Sequence, residues 1–137
     1  MGKINVGKLI IGAIAAGVVL NIGDYVINEV LMKGAYDAVM QARNVDPAAM
    51  NMATMVALDF AMALLLVFTY AAIRTRFGAG PKTAIVAGLL VVMIANLQAA
   101  YFVGVGFFGW DVWMPSAAAS TVNYVVAALV GGAVYSE

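Results

Sequence analysis

Four long apolar segments follow one another along the chain, and short polar segments separate them. The apolar segments are Leu9–Met32, Met50–Ile73, Ala84–Phe107 and Pro115–Tyr135. Each reaches the roughly 20 residues that a helix needs to cross the hydrocarbon core of a bilayer. None of them has the strict apolar–polar alternation that is typical of strands in a membrane barrel. The pattern therefore predicts an all-α fold with one integral membrane domain, a four-helix transmembrane bundle.

Residues that begin or end helices lie between these segments. The pair Lys33–Gly34 is typical of a helix C-terminus, and the pair Asp46–Pro47 is typical of an N-terminus. Pro81 and Pro115 are each placed to open the helix that follows. The polar segment 34–49 is the longest of the connections, and its amphipathic spacing indicates a short interfacial helix.

The composition supports a membrane location and excludes several classes of function. Of the 137 residues, 65% are hydrophobic and 10% are charged, whereas a soluble domain is roughly half apolar and one quarter charged. Seven basic residues balance seven acidic ones, so no basic face is present for binding nucleic acid. The chain has no Cys and no His, which removes thiol nucleophiles, imidazole bases and the commonest metal ligands. We therefore expect no catalytic residues, no metal centre and no cofactor.

The distribution of the basic residues predicts the orientation in the membrane. Five of the seven lie before the first segment or around the loop that follows the second, namely Lys3, Lys8, Arg74, Arg76 and Lys82. Cytoplasmic flanks carry the excess of Lys and Arg, so both the N- and the C-terminus are predicted to be cytoplasmic. We expect Arg74, Arg76 and Lys82 mainly to fix this topology, and they are also candidates for contacts with lipid head groups.

Three charged residues lie within the predicted spans, and all are acidic: Asp24, Glu29 and Asp59. A charged carboxylate inside the membrane costs roughly 3 kcal/mol or more, so each needs a reason to be there. Glu29 precedes Lys33 by four residues, which is the favourable order for an ion pair on one helix face. Asp24 and Asp59 have no such base, and they lie about 6 Å and about 4.5 Å from the membrane midplane on the same side.

Amide side chains on the other helices fall at a similar depth. We predict a single intramembrane polar layer, a candidate proton or cation site, formed by Asn21, Asp24, Asp59, Asn96, Gln98 and Asn123. On the first helix, small and polar residues follow helical spacing from Ala13 through Gly17 to Asn28. Small residues let helices approach closely in lipid, and polar ones supply hydrogen bonds between them. This stripe is therefore expected to face the bundle interior or a subunit interface.

Two segments carry a resemblance to a known group of proteins. Leu20–Glu29 reads LNIGDYVINE, and Tyr70–Thr83 reads YAAIRTRFGAGPKT. In both, the chain resembles small uncharacterised bacterial four-helix integral membrane proteins. The resemblance implies the four-helix architecture and a bacterial cytoplasmic (inner) membrane, and it implies no activity.

The polar layer is compatible with two functions. In the first, the chain is a non-enzymatic structural or accessory subunit of a membrane assembly, either a homo-oligomer or part of a larger complex. Asp24 and Asp59 are then protonated or share a proton, and the helices pack through them. In the alternative, the chain is a small proton- or cation-coupled transporter or channel centred on the two acids. A membrane enzyme is the weakest interpretation, because Tyr25 and the carboxyls offer an acid and a base but no nucleophile accompanies them.

Overall fold

The computed structural model describes residues 2–135, and every regular element in that range is helical. It contains five α-helices: α1 (Val6–Val26), α2 (Lys33–Ala42), α3 (Met52–Phe77), α4 (Pro81–Gly104) and α5 (Trp110–Tyr135). A π-helical segment, Ile27–Leu31, continues α1, and a 3-10 turn, Pro47–Ala49, precedes α3. The continuous helix Val6–Leu31 and the helices α3, α4 and α5 are long and apolar enough to cross a membrane. The prediction of an all-α chain with four helices able to cross a membrane is thus confirmed.

Two helix boundaries differ from those predicted. Lys33–Gly34 does not end a helix, because the first span ends at Leu31 and Lys33 is the first residue of α2. Pro115 does not open the last span either, because α5 begins five residues earlier, at Trp110, and contains the proline. A proline so close to a helix start removes only one early hydrogen bond, which is why α5 continues through it.

Other boundaries follow the local chemistry of capping. Pro81 is the first residue of α4, as its sequence position predicts. The carboxylate of Asp46 accepts a hydrogen bond from the Ala48 amide at 2.9 Å, but the element that it caps is the short 3-10 turn. The long helix α3 is capped by Asn51, whose Oδ1 accepts from the Thr54 amide at 3.1 Å. The polar connection therefore contains its own helix, α2, and two successive caps.

Glycines let α1 approach its neighbours closely. A Cβ on Gly12 would lie 2.9 Å from the carbonyl oxygen of Gly131 in α5, and one on Gly17 would overlap the Phe60 ring in α3. Helix α1 accordingly packs between α5 and α3, while α4 packs against α5 and α3. The small-residue stripe predicted for the first helix therefore faces the bundle interior.

The apolar core extends from the middle of the bundle to the end that carries Tyr135, which we call the Tyr135 end. Its largest fully buried side chains are those of Tyr70, Leu20, Leu66, Val67 and Val92. The Tyr70 hydroxyl accepts a hydrogen bond from the Gly80 amide at 3.2 Å, and the Tyr135 hydroxyl accepts one from the Asn5 amide at 3.1 Å. The bundle is therefore closed by packing at this end.

Helix α2 lies across the opposite end, which we call the α2 end. The hydroxyl groups of Tyr36 in α2 and Ser116 in α5 share a hydrogen bond of 2.6 Å. The Arg43 guanidinium at the end of α2 donates to the backbone carbonyls of Gly106 and Phe107, between α4 and α5. These contacts fix α2 against α5 and against the loop between α4 and α5.

The predicted pair of Glu29 and Lys33 is also present at the α2 end. Lys33 Nζ lies 3.6 Å from Glu29 and 3.5 Å from Asp37. The negative charges of Asp37 and Glu29 raise the pKa of Lys33. Glu29, one of the three intramembrane acids, is therefore compensated by a base.

Candidate functional site

The carboxyl groups of Asp24 in α1 and Asp59 in α3 meet between the two helices. Their side chains are close enough to interact with each other. The spans Val6–Leu31 and Met52–Phe77 have their midpoints between residues 18 and 19 and between 64 and 65. Both acids are therefore about 8 Å from the midpoint of their span, toward the α2 end. Two carboxyl groups can bond to each other only when at least one of them carries a proton.

Asn123 of α5 holds one member of this pair in place. Its Nδ2 donates to Asp24 Oδ1 at 2.9 Å and to the Leu20 carbonyl oxygen at 3.2 Å. The side chain is 8% exposed, and it fits there because Gly23 has no Cβ to displace its amide group. Polar groups from three spans, α1, α3 and α5, therefore converge at one point.

A cavity of about 210 Å³ lies beside the acid pair, on the side of the α2 end. It is lined by residues of α1, of the π-helical segment and of the start of α3, namely Asn21, Asp24, Tyr25, Asn28, Glu29, Met50, Met52, Met55, Val56 and Asp59. Three of these residues are acidic, and none is Lys or Arg. A cavity lined by one sign of charge attracts ions of the opposite sign, so this one favours protons and cations.

The cavity does not continue through the bundle. Beyond Asn21, toward the middle of the bundle, the side chains of Ala16, Leu20, Ala63 and Leu66 are completely buried in the apolar core. An ion that enters from the α2 end therefore reaches the acid pair and meets packed side chains beyond it.

The π-helical segment supplies part of the cavity wall. Asn28 and Glu29 lie in this segment, and its last bond runs from the Met32 amide to the Ile27 carbonyl at 2.8 Å. Single π-helical turns occur frequently at functional sites in proteins. The segment Ile27–Leu31 contains no proline or glycine, so no residue type in it indicates this irregularity. Asn28 belongs to the small and polar stripe predicted for the first helix, but it was not included in the predicted polar layer.

Tyr25, which the sequence suggested only as an acid or base of a membrane enzyme, also lines the cavity, and so do three methionines that were not predicted as site residues. Met52 and Met55 precede Asp59 by seven and four residues, which places all three on one face of α3. This spacing was the available signal. The side chain of Asn21, which was predicted, lines the cavity while its Nδ2 donates to the Gly17 carbonyl at 2.8 Å.

Two residues of the predicted layer, Asn96 and Gln98, do not join the acid pair. The Asn96 amide donates to Thr121 Oγ1 at 3.4 Å, and its backbone carbonyl accepts from the Trp113 indole at 3.0 Å. Gln98 is exposed on the surface of the bundle. Helix α4, which carries both, packs against α3 and α5, so similar depth does not bring its amides to α1. The expected single layer is therefore a site on α1, α3 and α5 and a separate contact between α4 and α5.

The predicted head-group residues Arg74, Arg76 and Lys82 all lie near the Tyr135 end. The Arg74 guanidinium lies 5.0 Å from the centre of the Tyr135 ring, which gives this residue a structural contact within the protein. Arg76 and Lys82 are exposed, as contact with lipid head groups would require.

Comparisons with known proteins find no match to this chain. No protein-family model matches the chain, no curated protein is similar to it at a significant level, and no solved structure matches its fold. Function is therefore argued from the site itself.

Proposed function

We propose that this chain is a small proton- or cation-coupled transporter or channel whose ion-binding site is the Asp24–Asp59 pair. The observation that carries the proposal is the meeting of two carboxyl groups, from different spans, at the wall of a cavity lined by no base. Ionisable residues within membrane spans commonly mark ion pathways and proton relays. No base among residues 2–135 forms an ion pair with either acid, so a proton or a cation is the natural partner of the pair.

The charge of the pair makes a one-for-one exchange favourable. With one shared proton the pair carries a single negative charge, and with no proton and one monovalent cation it carries the same net charge. Changing the net charge of a site in a low-dielectric environment is expensive. Replacement of the shared proton by one monovalent cation avoids that change, which supports coupling between the two ions.

Transport across the bundle requires a second conformation. The cavity lies toward the α2 end of the bundle, and the packed side chains of Leu20 and Leu66 close the route to the Tyr135 end. The π-helical segment adjoins the cavity, and a register change in that segment would move Asn28 and Glu29 relative to Asp59. We assign the π-helical segment as the place where the cavity wall rearranges.

The proposal is tested by ion flux in liposomes that contain the purified protein and an internal pH indicator. An imposed cation or pH gradient should produce proton movement with the native protein, and the Asp24→Asn/Asp59→Asn variant should abolish it. Asp111→Asn is the matched control, because Asp111 is exposed in the first turn of α5 and does not line the cavity. Flux that is unchanged by loss of both intramembrane acids would exclude this site.

We further infer that both termini face the cytoplasm of a bacterial inner membrane. Five of the seven basic residues lie in the N-terminal segment, at the start of α1 or beside the loop that joins α3 to α4, and an excess of bases is typical of cytoplasmic flanks. The bacterial origin is supported by the resemblance of Leu20–Glu29 and Tyr70–Thr83 to small bacterial membrane proteins.

Gln98 favours a second candidate function, a structural or accessory subunit of a membrane assembly that associates as a homo-oligomer. The midpoint of α4 lies between residues 92 and 93, so Gln98 is about 8 Å from it and within the hydrocarbon core. Its exposed amide has no hydrogen-bond partner among the residues that the structure describes. An amide in lipid is stabilised by a polar partner on a neighbouring helix, and a second copy of the chain offers the same amide at the same depth.

Cross-linking tests this association, because the chain has no native cysteine. In membranes, Gln98→Cys should form a disulfide-linked dimer under mild oxidation. Leu97→Cys is the matched control, since Leu97 is 65% exposed at nearly the same depth but points about 100° away around the helix. Equal cross-linking of the two variants, or none with Gln98→Cys, would contradict an interface at Gln98.

A further inference from the structure

Three of the nine methionines of the chain line one cavity: Met50, Met52 and Met55. The backbone is extended at Met50, with φ −68° and ψ 125°, and at Asn51, with φ −92° and ψ 99°. Residues two apart in an extended chain share a side, so Met50 and Met52 point the same way. Helix α3 begins at Met52, and residues three apart in a helix share a face. The spacing Met-x-Met-x-x-Met thus fits this junction and brings three thioethers to the cavity.

Packing does not account for these three side chains. Met50, Met52 and Met55 are 44%, 60% and 36% exposed, whereas Met32 is 7% exposed and lies in a buried cluster. Methionine commonly fills irregular gaps in an apolar core, which explains a residue such as Met32. The exposed trio fills no such gap, and the lipid-facing surface elsewhere on the bundle is formed largely by Leu, Ile and Val.

We propose that Met50, Met52 and Met55 form a binding site for a soft monovalent metal ion of the Cu(I) type. Thioether sulfur is a soft, uncharged ligand, and it selects Cu(I) over the harder cations that prefer oxygen. Residues 2–135 contain no group of three or more His, Cys, Asp or Glu side chains that could hold a metal ion. The three thioethers are the soft donors of this cavity, whereas its carboxyl groups are hard ones.

The position of the trio connects it with the acid pair. Met52, Met55 and Asp59 follow one another at spacings of three and four along α3, so they form one stripe that leads from the mouth of the cavity to its floor. This inference rests on the proposed function in one respect, because it names the cation that exchanges with the proton of the Asp24–Asp59 pair. A monovalent ion satisfies the one-for-one exchange.

Metal binding to the protein purified in detergent tests the proposal. The probe is Ag⁺, which has the charge and softness of Cu(I) but does not change oxidation state, titrated calorimetrically in chloride-free buffer. The native protein should bind one Ag⁺ per chain. The Met50→Leu/Met52→Leu/Met55→Leu variant keeps the volume and apolar character of the side chains. Loss of an outer-shell partner lowers the affinity of a metal site about 10- to 100-fold. Loss of all three thioether ligands should lower the affinity of the variant for Ag⁺ by more than this.

The matched control is Met93→Leu/Met114→Leu. These two methionines are 58% and 63% exposed and lie outside the cavity, so this variant should bind Ag⁺ as the native protein does. Failure of the native protein to bind Ag⁺, or unchanged binding by the triple variant, would overturn the metal site. Proton flux in liposomes that still depends on Asp24 and Asp59 would then leave the proposed function standing. Conversely, thioether-dependent Ag⁺ binding with flux that ignores both acids would support the metal site and overturn the proposed function.

Discussion

The contact between Gly23 and Asn123 gives a sharp test of how the acid pair is held. An alanine at position 23 would place a Cβ within 2.5 Å of all three heavy atoms of the Asn123 amide group. Atoms cannot approach so closely, so the Asn123 side chain must move in the Gly23→Ala variant. It then loses its hydrogen bonds to Asp24 Oδ1 at 2.9 Å and to the Leu20 carbonyl at 3.2 Å.

The size of the effect follows from these two bonds. A hydrogen bond between membrane helices contributes about 0.6 kcal/mol on average and up to about 2 kcal/mol, and a bond to a charged group contributes about 1.5–3 kcal/mol. Gly23→Ala should therefore lower the free energy of unfolding by about 1–3 kcal/mol. Asn123→Ala removes the same bonds and should have a similar effect. In the double variant the amide is already absent, so Gly23→Ala should cost little more, and the coupling energy should be about 1–3 kcal/mol.

The assay is unfolding by sodium dodecyl sulfate in mixed micelles, followed by the fluorescence of Trp110 and Trp113. Gly104→Ala is the matched control, because a Cβ at that position meets no atom within 4 Å. It corrects for the helix preference of alanine over glycine, which is about 1 kcal/mol. If the costs of Gly23→Ala and Asn123→Ala simply add in the double variant, Asn123 does not lie against Gly23, and the reasoning about the site is refuted.

Three other predictions concern packing, orientation and the acid itself. Gly12→Ala should be about 1–3 kcal/mol less stable than Gly7→Ala in the same unfolding assay. A Cβ at position 12 would lie 2.9 Å from a carbonyl oxygen of α5, whereas a Cβ at position 7 meets nothing nearer than 3.5 Å. Equal stabilities of the two variants would contradict the close approach of α1 to α5. In intact cells, Val45→Cys should react with an impermeant maleimide and Ala79→Cys only after lysis, and the reverse pattern would invert the proposed orientation. Asp24→Asn should stay within about 1 kcal/mol of the native stability, because an amide oxygen still accepts the bond from α5; failure to fold would show that the carboxyl itself is required.

The candidate site shows how far the depth of a residue can be derived from the sequence. Counting along the spans placed Asp24 and Asp59 at a similar height, and the two carboxyl groups do meet. The same counting placed Asn96 and Gln98 in that layer, and there it failed, because α4 packs against α3 and α5. Each residue of a helix adds about 1.5 Å along the membrane normal, so depth can be counted along the chain. Which neighbouring helix a side chain faces depends instead on how the helices are arranged around one another.

The cavity depended on local backbone geometry that hydropathy does not encode. Asn28 and Glu29 line it from a π-helical segment, and Met50 lines it because the chain is extended before α3 begins. Neither feature follows from the apolar pattern, since a π-helical turn and an α-helical turn satisfy the same hydrophobic environment. The methionine spacing was visible in the sequence, but its convergence on one cavity was not.

The sequence by itself determined that this chain is helical and has four segments able to cross a membrane, because an apolar segment in lipid must satisfy its backbone hydrogen bonds internally. It also determined that acids and amides lie within those spans. Only the tertiary structure decided that α1 lies between α3 and α5, through the close approaches at Gly12 and Gly17, and that Asp24, Asp59 and Asn123 therefore converge. The physical reason is that burial in lipid acts on each segment separately. The arrangement of helices around one another depends instead on the fit of small and large side chains from all of them at once.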